Sequence, residues 1–255
     1  KELLRRDDGY VTFADRQELI ALRVGRERSS QKLWTLAMRY GTWMGRLPFV
    51  RMVALTGALA VRNAAADDDD LDYLVVTQVG RVWLARAFAI LLVRLGRLRG
   101  VEICPNYILA EDSLIQDKQD VFMAHEVVQM VPLYGFRIYE EMRQLNTWVT
   151  EYLPNADGTF HATDAPPIGR IWGGIKDLLE ILLGGRLGTW LENWEYRRKM
   201  RRFQTQMQTP HSSAQLDERH VKGHFDDHGH PALQQYHRRL RELGVEPMLD
   251  AVPGD

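Results

Sequence analysis

Five of the six residues from Asp67 to Asp72 are aspartates, and the chain passes from them directly into Tyr73-Leu74-Val75-Val76-Thr77. A run this rich in β-branched and aromatic residues predicts a strand over 71–77. Side chains alternate along a strand, so Asp70 and Asp72 project from one face, separated by two rises of roughly 3.3 Å each. Two carboxylates so placed repel each other, and Asp72 takes a half-buried position where an unpaired charge is expensive. A divalent cation removes both difficulties, since Mg²⁺ takes oxygen ligands of this kind alongside substrate phosphates. The plainer reading is a solvated acidic loop that only aids solubility; the unbroken passage into an apolar strand argues against it.

Upstream, Phe49-Val50-Arg51-Met52-Val53-Ala54-Leu55-Thr56 is short and apolar and ends at Gly57, which predicts a buried strand feeding a turn. Gly57 lets the backbone bend, and a helix beginning at Ala58 would present free N–H groups to an anionic phosphate. A phosphate cradle (Gly57, Ala58) and a metal pair (Asp70, Asp72) are thus expected side by side.

Around this segment, residues 16–40 favour helix by propensity and pattern. Residues 82–97 carry Leu84, Phe88, Leu91, Leu92 and Leu95 at helical spacing, with Arg86, Arg94 and Arg97 read as a solvated face. A third strand is expected over 101–109, with Pro105 pointing to an edge position or a bulge. Strands alternating with helices indicate an α/β (α+β) core. Helix-like stretches follow at 120–130 and 134–145, then a loop from Pro154 to Gly169 that forms the best internal boundary. Beyond it Ile175, Leu178, Leu179 and Leu182 share a face, Trp190 and Trp194 are expected in the core, and 231–243 reads as a last helix stopped by Gly244. The organisation expected is an N-terminal helical segment (1–46), a small mixed-sheet core (47–135) and a mainly helical C-terminal domain (136–255).

Composition excludes several classes. The 255 residues are 45% hydrophobic and 26% charged, ordinary for a globular chain. With 33 Lys and Arg against 34 Asp and Glu, the net charge of -1 argues against a uniformly basic, nucleic-acid-coating surface. The single cysteine, Cys104, cannot form an internal disulfide, so a reducing, cytoplasmic setting is the simpler expectation. The longest uncharged stretches, such as 52–61 and 127–136, fall well short of the roughly 20 apolar residues of a membrane span; no membrane partner is expected. The charged opening without an initiator Met reads as a truncated or processed start.

Gly57-Ala58, eleven intervening residues and Asp70-Leu71-Asp72 followed by an apolar strand resemble the signature of the DNA polymerase beta-like nucleotidyltransferase superfamily, a glycine-serine pair followed by Asp-x-Asp. The stretches Leu47–Gly57, Cys104-Pro105-Asn106-Tyr107 and Pro132-Leu133-Tyr134-Gly135 are similar to an uncharacterised prokaryotic branch of it. The resemblance implies a nucleotidyltransferase-fold core and transfer of a nucleoside monophosphate from an NTP to an acceptor, with release of pyrophosphate. Asp70 and Asp72 would hold two Mg²⁺ (or Mn²⁺) ions, and Gly57 with the following backbone would hold the triphosphate. Two departures matter: the family serine is Ala58, and the third carboxylate has no clear counterpart, Glu102 being the nearest candidate, with Glu111 and Asp112 further off. The alternative is a catalytically inactive module of the same fold that binds nucleotide, nucleic acid or a protein partner.

Other signals point less sharply. His220, His224, His228 and His230 crowd one segment, but no metalloprotease Glu stands between the first two, and a polar loop is the reading. Arg197-Arg198-Lys199-Met200-Arg201-Arg202 puts five cations in six residues, a possible contact for an RNA or DNA acceptor but too few to establish one. Cys104 is expected to be a buried small side chain and not a reactive thiolate.

Overall fold

A computed structural model describes residues 4–7, 9–158, 168–207, 215–222 and 229–245. The described residues open with a hairpin, β1 (Leu4–Asp7) and β2 (Tyr10–Phe13), ahead of the helix expected in the N-terminal segment. Helix α1 (Glu18–Gly45) follows and runs longer than the predicted 16–40.

The expected core strands form β3 (Val50–Leu55) and β4 (Leu71–Thr77), paired antiparallel, with the one-turn helix α2 (Gly57–Ala60) between them. Helix α3 (Val82–Arg97) returns the chain so that β5 (Ile103–Ala110) lies parallel to β4. Pro105 was expected at an edge or a bulge, and the register between β4 and β5 does shift between Asp72 and Leu74. The strand is not at the sheet edge, because β8 (His220–Lys222) pairs with Tyr107–Leu109. That pairing starts beyond Pro105, so the proline's missing N–H costs no ladder bond to β8.

Past β5, α4 (Val121–Gln129) starts at Asp120, whose carboxylate accepts the Met123 N–H at 2.8 Å. Residues Val131–Tyr134, which patterning left between two helices, form β6 beside β3, and α5 (Phe136–Leu145) and α6 (Val149–Tyr152) follow. The last elements are α7 (Arg170–Gly184), α8 (Arg186–Met207), β7 (Gln215–Leu216) with β8, and α9 (Gly229–Glu242). The six-stranded mixed sheet runs β6-β3-β4-β5-β8-β7, making the fold α+β. Two of its strands come from the segment expected to be part of a helical C-terminal domain. Short two- and three-residue strands carry too little periodicity to stand out in sequence.

Alternation sorts the strands onto two sides. Val53, Leu55, Tyr73, Val75 and Ile108 join α1 and α3 in one core; Met52, Ala54, Leu74, Val76 and Leu109 join α4 and α5 in the other. Asp72 shares the parity of Leu74 and Val76, so the sheet aims it at the α4–α5 side. On the opposite side, the Tyr73 hydroxyl donates to the Ala37 carbonyl at 2.7 Å, tying α1 to the strand that carries the aspartates.

Trp190 and Trp194 were expected in the core and are exposed. The inward side of α8 is occupied instead by Leu191, Glu192, Glu195 and Tyr196. The Glu192 carboxylate accepts the Trp83 and Leu84 N–H groups at 2.9 and 2.7 Å, satisfying two free donors of the first turn of α3. Arg86, read as solvated, is instead largely enclosed between α3 and α8, and burial lowers its pKa. Among the described residues no helix is long and apolar enough to cross a membrane.

Glu192→Ala leaves two buried N–H groups without an acceptor and should lower unfolding stability by about 2 kcal/mol. Urea titration followed by circular dichroism checks this; an unchanged midpoint would mean that Glu192 is dispensable for holding α8 on α3.

Candidate functional site

The site lies where β3 ends, β4 begins and the bulged start of β5 runs alongside. The Thr56 N–H donates to the Asp72 carbonyl at 3.0 Å, and the chain then turns at Gly57 with φ +65°. Only glycine is at ease with this backbone, and a Cβ here would collide with Asp72 Oδ2. The bend and the carboxylate are therefore in direct apposition. The expected helix after the bend exists only as the four residues of α2.

Asp70 and Asp72 converge as strand parity requires. One carboxylate oxygen from each, together with Cys104 Sγ, lies within 4.8 Å of the others. Cys104 enters because β5 runs parallel to β4 and pairs Cys104 with Asp72. Asn106, two residues on, donates from Nδ2 to Asp72 Oδ1 at 2.8 Å. Its Oδ1 is buried with no hydrogen-bond partner, which leaves a hard acceptor oxygen facing an unfilled need.

Burial, then the charge of Asp70, pushes the Asp72 carboxyl up to about 7, with the Asn106 hydrogen bond opposing. The same burial and the two aspartates push the Cys104 thiol up to about 12, so it stays protonated and is no reactive thiolate. The donor set is thus two carboxylates and an amide carbonyl beside a protonated thiol. Hard oxygen donors of this kind suit Mg²⁺ or Mn²⁺, with water and substrate oxygens completing the shell.

Asp70, Asp72 and Asn106 line a cavity of about 290 Å³. Phe122, Met123 and Val127 of α4 with Met130 and Met142 make the helix side of it apolar, Leu74 extends the strand side, and Tyr107, Gln116 and Lys222 also line it. Glu126 of α4 also faces in, with its carboxyl raised by burial and held back by the charges of Lys222 and His125. Sequence reasoning missed Glu126. The available signal was an acid inside Val121-Phe122-Met123-Ala124-His125-Glu126-Val127-Val128, a helix apolar but for it and His125.

The third-acid candidates lie elsewhere. Glu102 turns outward, its side chain exposed and 3.3 Å from Arg97, and is not among the cavity-lining residues. Glu111 and Asp112 follow the far end of β5, where the Glu111 N–H bonds Thr77 and Asp112 pairs with Arg219 at 3.4 Å. Because β4 and β5 are parallel, that end is a strand's length from the aspartates. The β5 partner of Asp72 is Cys104, and the β5 side chain hydrogen-bonded to its carboxylate is the amide of Asn106, not an acid. Of the histidine cluster, His224 and His228 lie outside the described residues. His220 Nδ1 is 3.1 Å from the Asp217 carboxylate, and His230 is beside Gln234.

Comparison with known proteins finds no matching family model, no matching curated protein and no matching solved structure.

Since the folded pKa of Asp72 is raised above its unfolded value, its contribution to stability is full below about pH 4 and is lost as pH rises through about 7. Asp72→Asn removes that loss. In metal-free buffer the variant should match wild type near pH 4 and exceed it by about 4 kcal/mol at pH 8. Thermal melts across this range test the sign, and a variant less stable at pH 8 would contradict it.

Proposed function

We propose that this chain is a Mg²⁺- or Mn²⁺-dependent nucleotidyltransferase with a DNA polymerase beta-like core, moving a nucleoside monophosphate from an NTP to an acceptor. The observation that carries this reading is the convergence of the Asp70 and Asp72 oxygens beside the Gly57 bend at the mouth of a cavity. The strand order around them and the resemblance of Gly57-Ala58 and Asp70-Leu71-Asp72 to the superfamily signature support it.

Asp70 and Asp72 would hold the metal, with Asn106 Oδ1 able to accept from a metal-bound water or bind directly. When bound, the cations supply charge stabilisation for the attacking and leaving oxygens of an in-line displacement. The acceptor oxygen bonds to the α-phosphorus as the bond to pyrophosphate breaks. The acceptor's proton needs a base, and Glu126 on the facing wall is the carboxyl positioned for it in place of the missing strand acid. Ala58 offers no hydroxyl, so phosphate oxygens are left to backbone N–H groups of the Gly57 bend. The apolar wall of Met123, Val127, Met130 and Met142 suits the planar face of a base or the body of an apolar acceptor. Cation binding competes with protonation of Asp72, so activity should rise as pH passes through about 7.

The alternative is a module of the same fold that binds nucleotide, nucleic acid or a protein partner without turnover. Ala58 and the neutral Asn106 on β5 favour it.

Incubation with each labelled NTP, Mg²⁺ or Mn²⁺ and cell extract as an acceptor pool separates the two. Wild type should transfer label, Asp70→Asn and Asp72→Asn should lose at least about 100-fold, and Glu126→Gln should lose about 100-fold while retaining NTP binding. Nucleotide binding without transfer by wild type would favour the module; no binding of any NTP would remove the transferase reading and the nucleotide-binding form of the module.

A further inference from the structure

Helix α7 turns Lys176 and Glu180 inward and much of its aliphatic surface outward. Lys176 Nζ is buried and donates to the Gly45 and Val50 carbonyls at 2.9 and 2.6 Å and to the Tyr134 hydroxyl at 3.2 Å. One turn on, Glu180 accepts the Phe49 N–H at 2.7 Å and is clamped by the Arg51 guanidinium at 2.9 and 3.0 Å. Rotating the helix to hide its aliphatic side would strip both groups and their backbone partners of hydrogen bonds, so the orientation is locked.

The consequence is a stripe of Ile171, Ile175, Leu178, Ile181 and Leu182 facing away from the fold, with Ile171 and Ile181 still 78% and 76% exposed. Trp172 of the same helix is exposed as well, and the next helix, α8, carries exposed Leu187, Trp190 and Trp194. The charge around it has one sign. Arg170, Arg186, Arg197, Arg201 and Arg202 are exposed, whereas Asp177 is the one exposed carboxylate of the two helices, Glu192 being buried, Glu195 paired with Arg198 and Glu180 held by Arg51.

We propose that the outer face of α7 and α8 docks on an anionic lipid bilayer, α7 lying along the interface with its aliphatic stripe at the acyl boundary and the arginines among lipid phosphates. An aliphatic stripe bordered by tryptophans and arginines is the composition of interfacial helices. Fifteen residues of helix span only about 22 Å, less than the roughly 30 Å hydrocarbon core, so α7 lies on the bilayer and does not cross it. Charge decides against the other occupants. A second copy would bring two arginine-rich faces together with almost no carboxylate to meet them. Nucleic acid would use the arginines and tryptophans but leave the aliphatic stripe in water.

The test is flotation of the full chain with phosphatidylcholine vesicles, with and without phosphatidylglycerol, at low and physiological salt. The protein should float with the anionic vesicles, about tenfold less with the neutral ones, and less as salt rises. Leu178→Glu/Leu182→Glu should abolish flotation with an unchanged melting temperature, since both side chains are exposed, and Arg201→Glu/Arg202→Glu should remove the preference for anionic lipid. Flotation that survives both variants, or none with anionic vesicles, overturns the proposal. So does a lipid-free dimer by light scattering that Leu178→Glu/Leu182→Glu dissociates, or oligonucleotide retention in place of flotation.

Discussion

The carboxylate of Asp72 sits deep between a glycine bend, a parallel neighbouring strand and an apolar wall, with a second carboxylate close by and one amide donor as its hydrogen-bond partner. Burial and like charge both act against its ionised form, and among the described residues the Asn106 hydrogen bond is the influence that opposes them. Several features of the centre follow from accommodating this group. Gly57 has no side chain because Asp72 fills that space, β5 bulges where it passes Asp72, and Asn106 presents an amide where an acid would add further repulsion. The metal-dependent reading proposed above rests on the convergence of these two carboxylates beside the glycine bend.

Charged groups also set the architecture away from the centre. Glu192 closes the first turn of α3, and Lys176 and Glu180 fasten α7 to the ends of α1 and β3. Buried charges are expensive to move once paired, so they act as register pins. These pins fix which sides of α7 and α8 meet the sheet, and as a result the aliphatic and tryptophan side chains of both helices are left outside. The centre and this outer face are separate features, built by different residues on different sides of the sheet.

Much of the core was legible because local pattern and tertiary role agree there. The run Leu71–Thr77 is a strand by residue type and a central strand by position, Val82–Arg97 is a helix by spacing, and the parity of Asp70 and Asp72 follows from the pleat alone. Where reading from pattern departed from the structure, a long-range partner had taken over. Val131–Tyr134 is strand because β3 offers an open edge; 215–222 enters the sheet because β5 does. Trp190 and Trp194 lie outside because buried carboxylates claimed the inward side of α8. Glu102 was the nearest acid in sequence, yet its side chain leaves the sheet toward Arg97, while Glu126 arrives from a helix more than fifty residues beyond Asp72.

The amino-acid order by itself determined the two converging aspartates, the glycine that must precede them and the alternation of strands and helices around them, because strand pleat and glycine's conformational freedom act over a few bonds. Only the tertiary structure decided which third group faces the aspartates, which strands complete the sheet and which helix faces stay uncovered. Those outcomes depend on contacts between segments far apart in the chain, where burial of one charged group against a distant backbone outweighs any local preference.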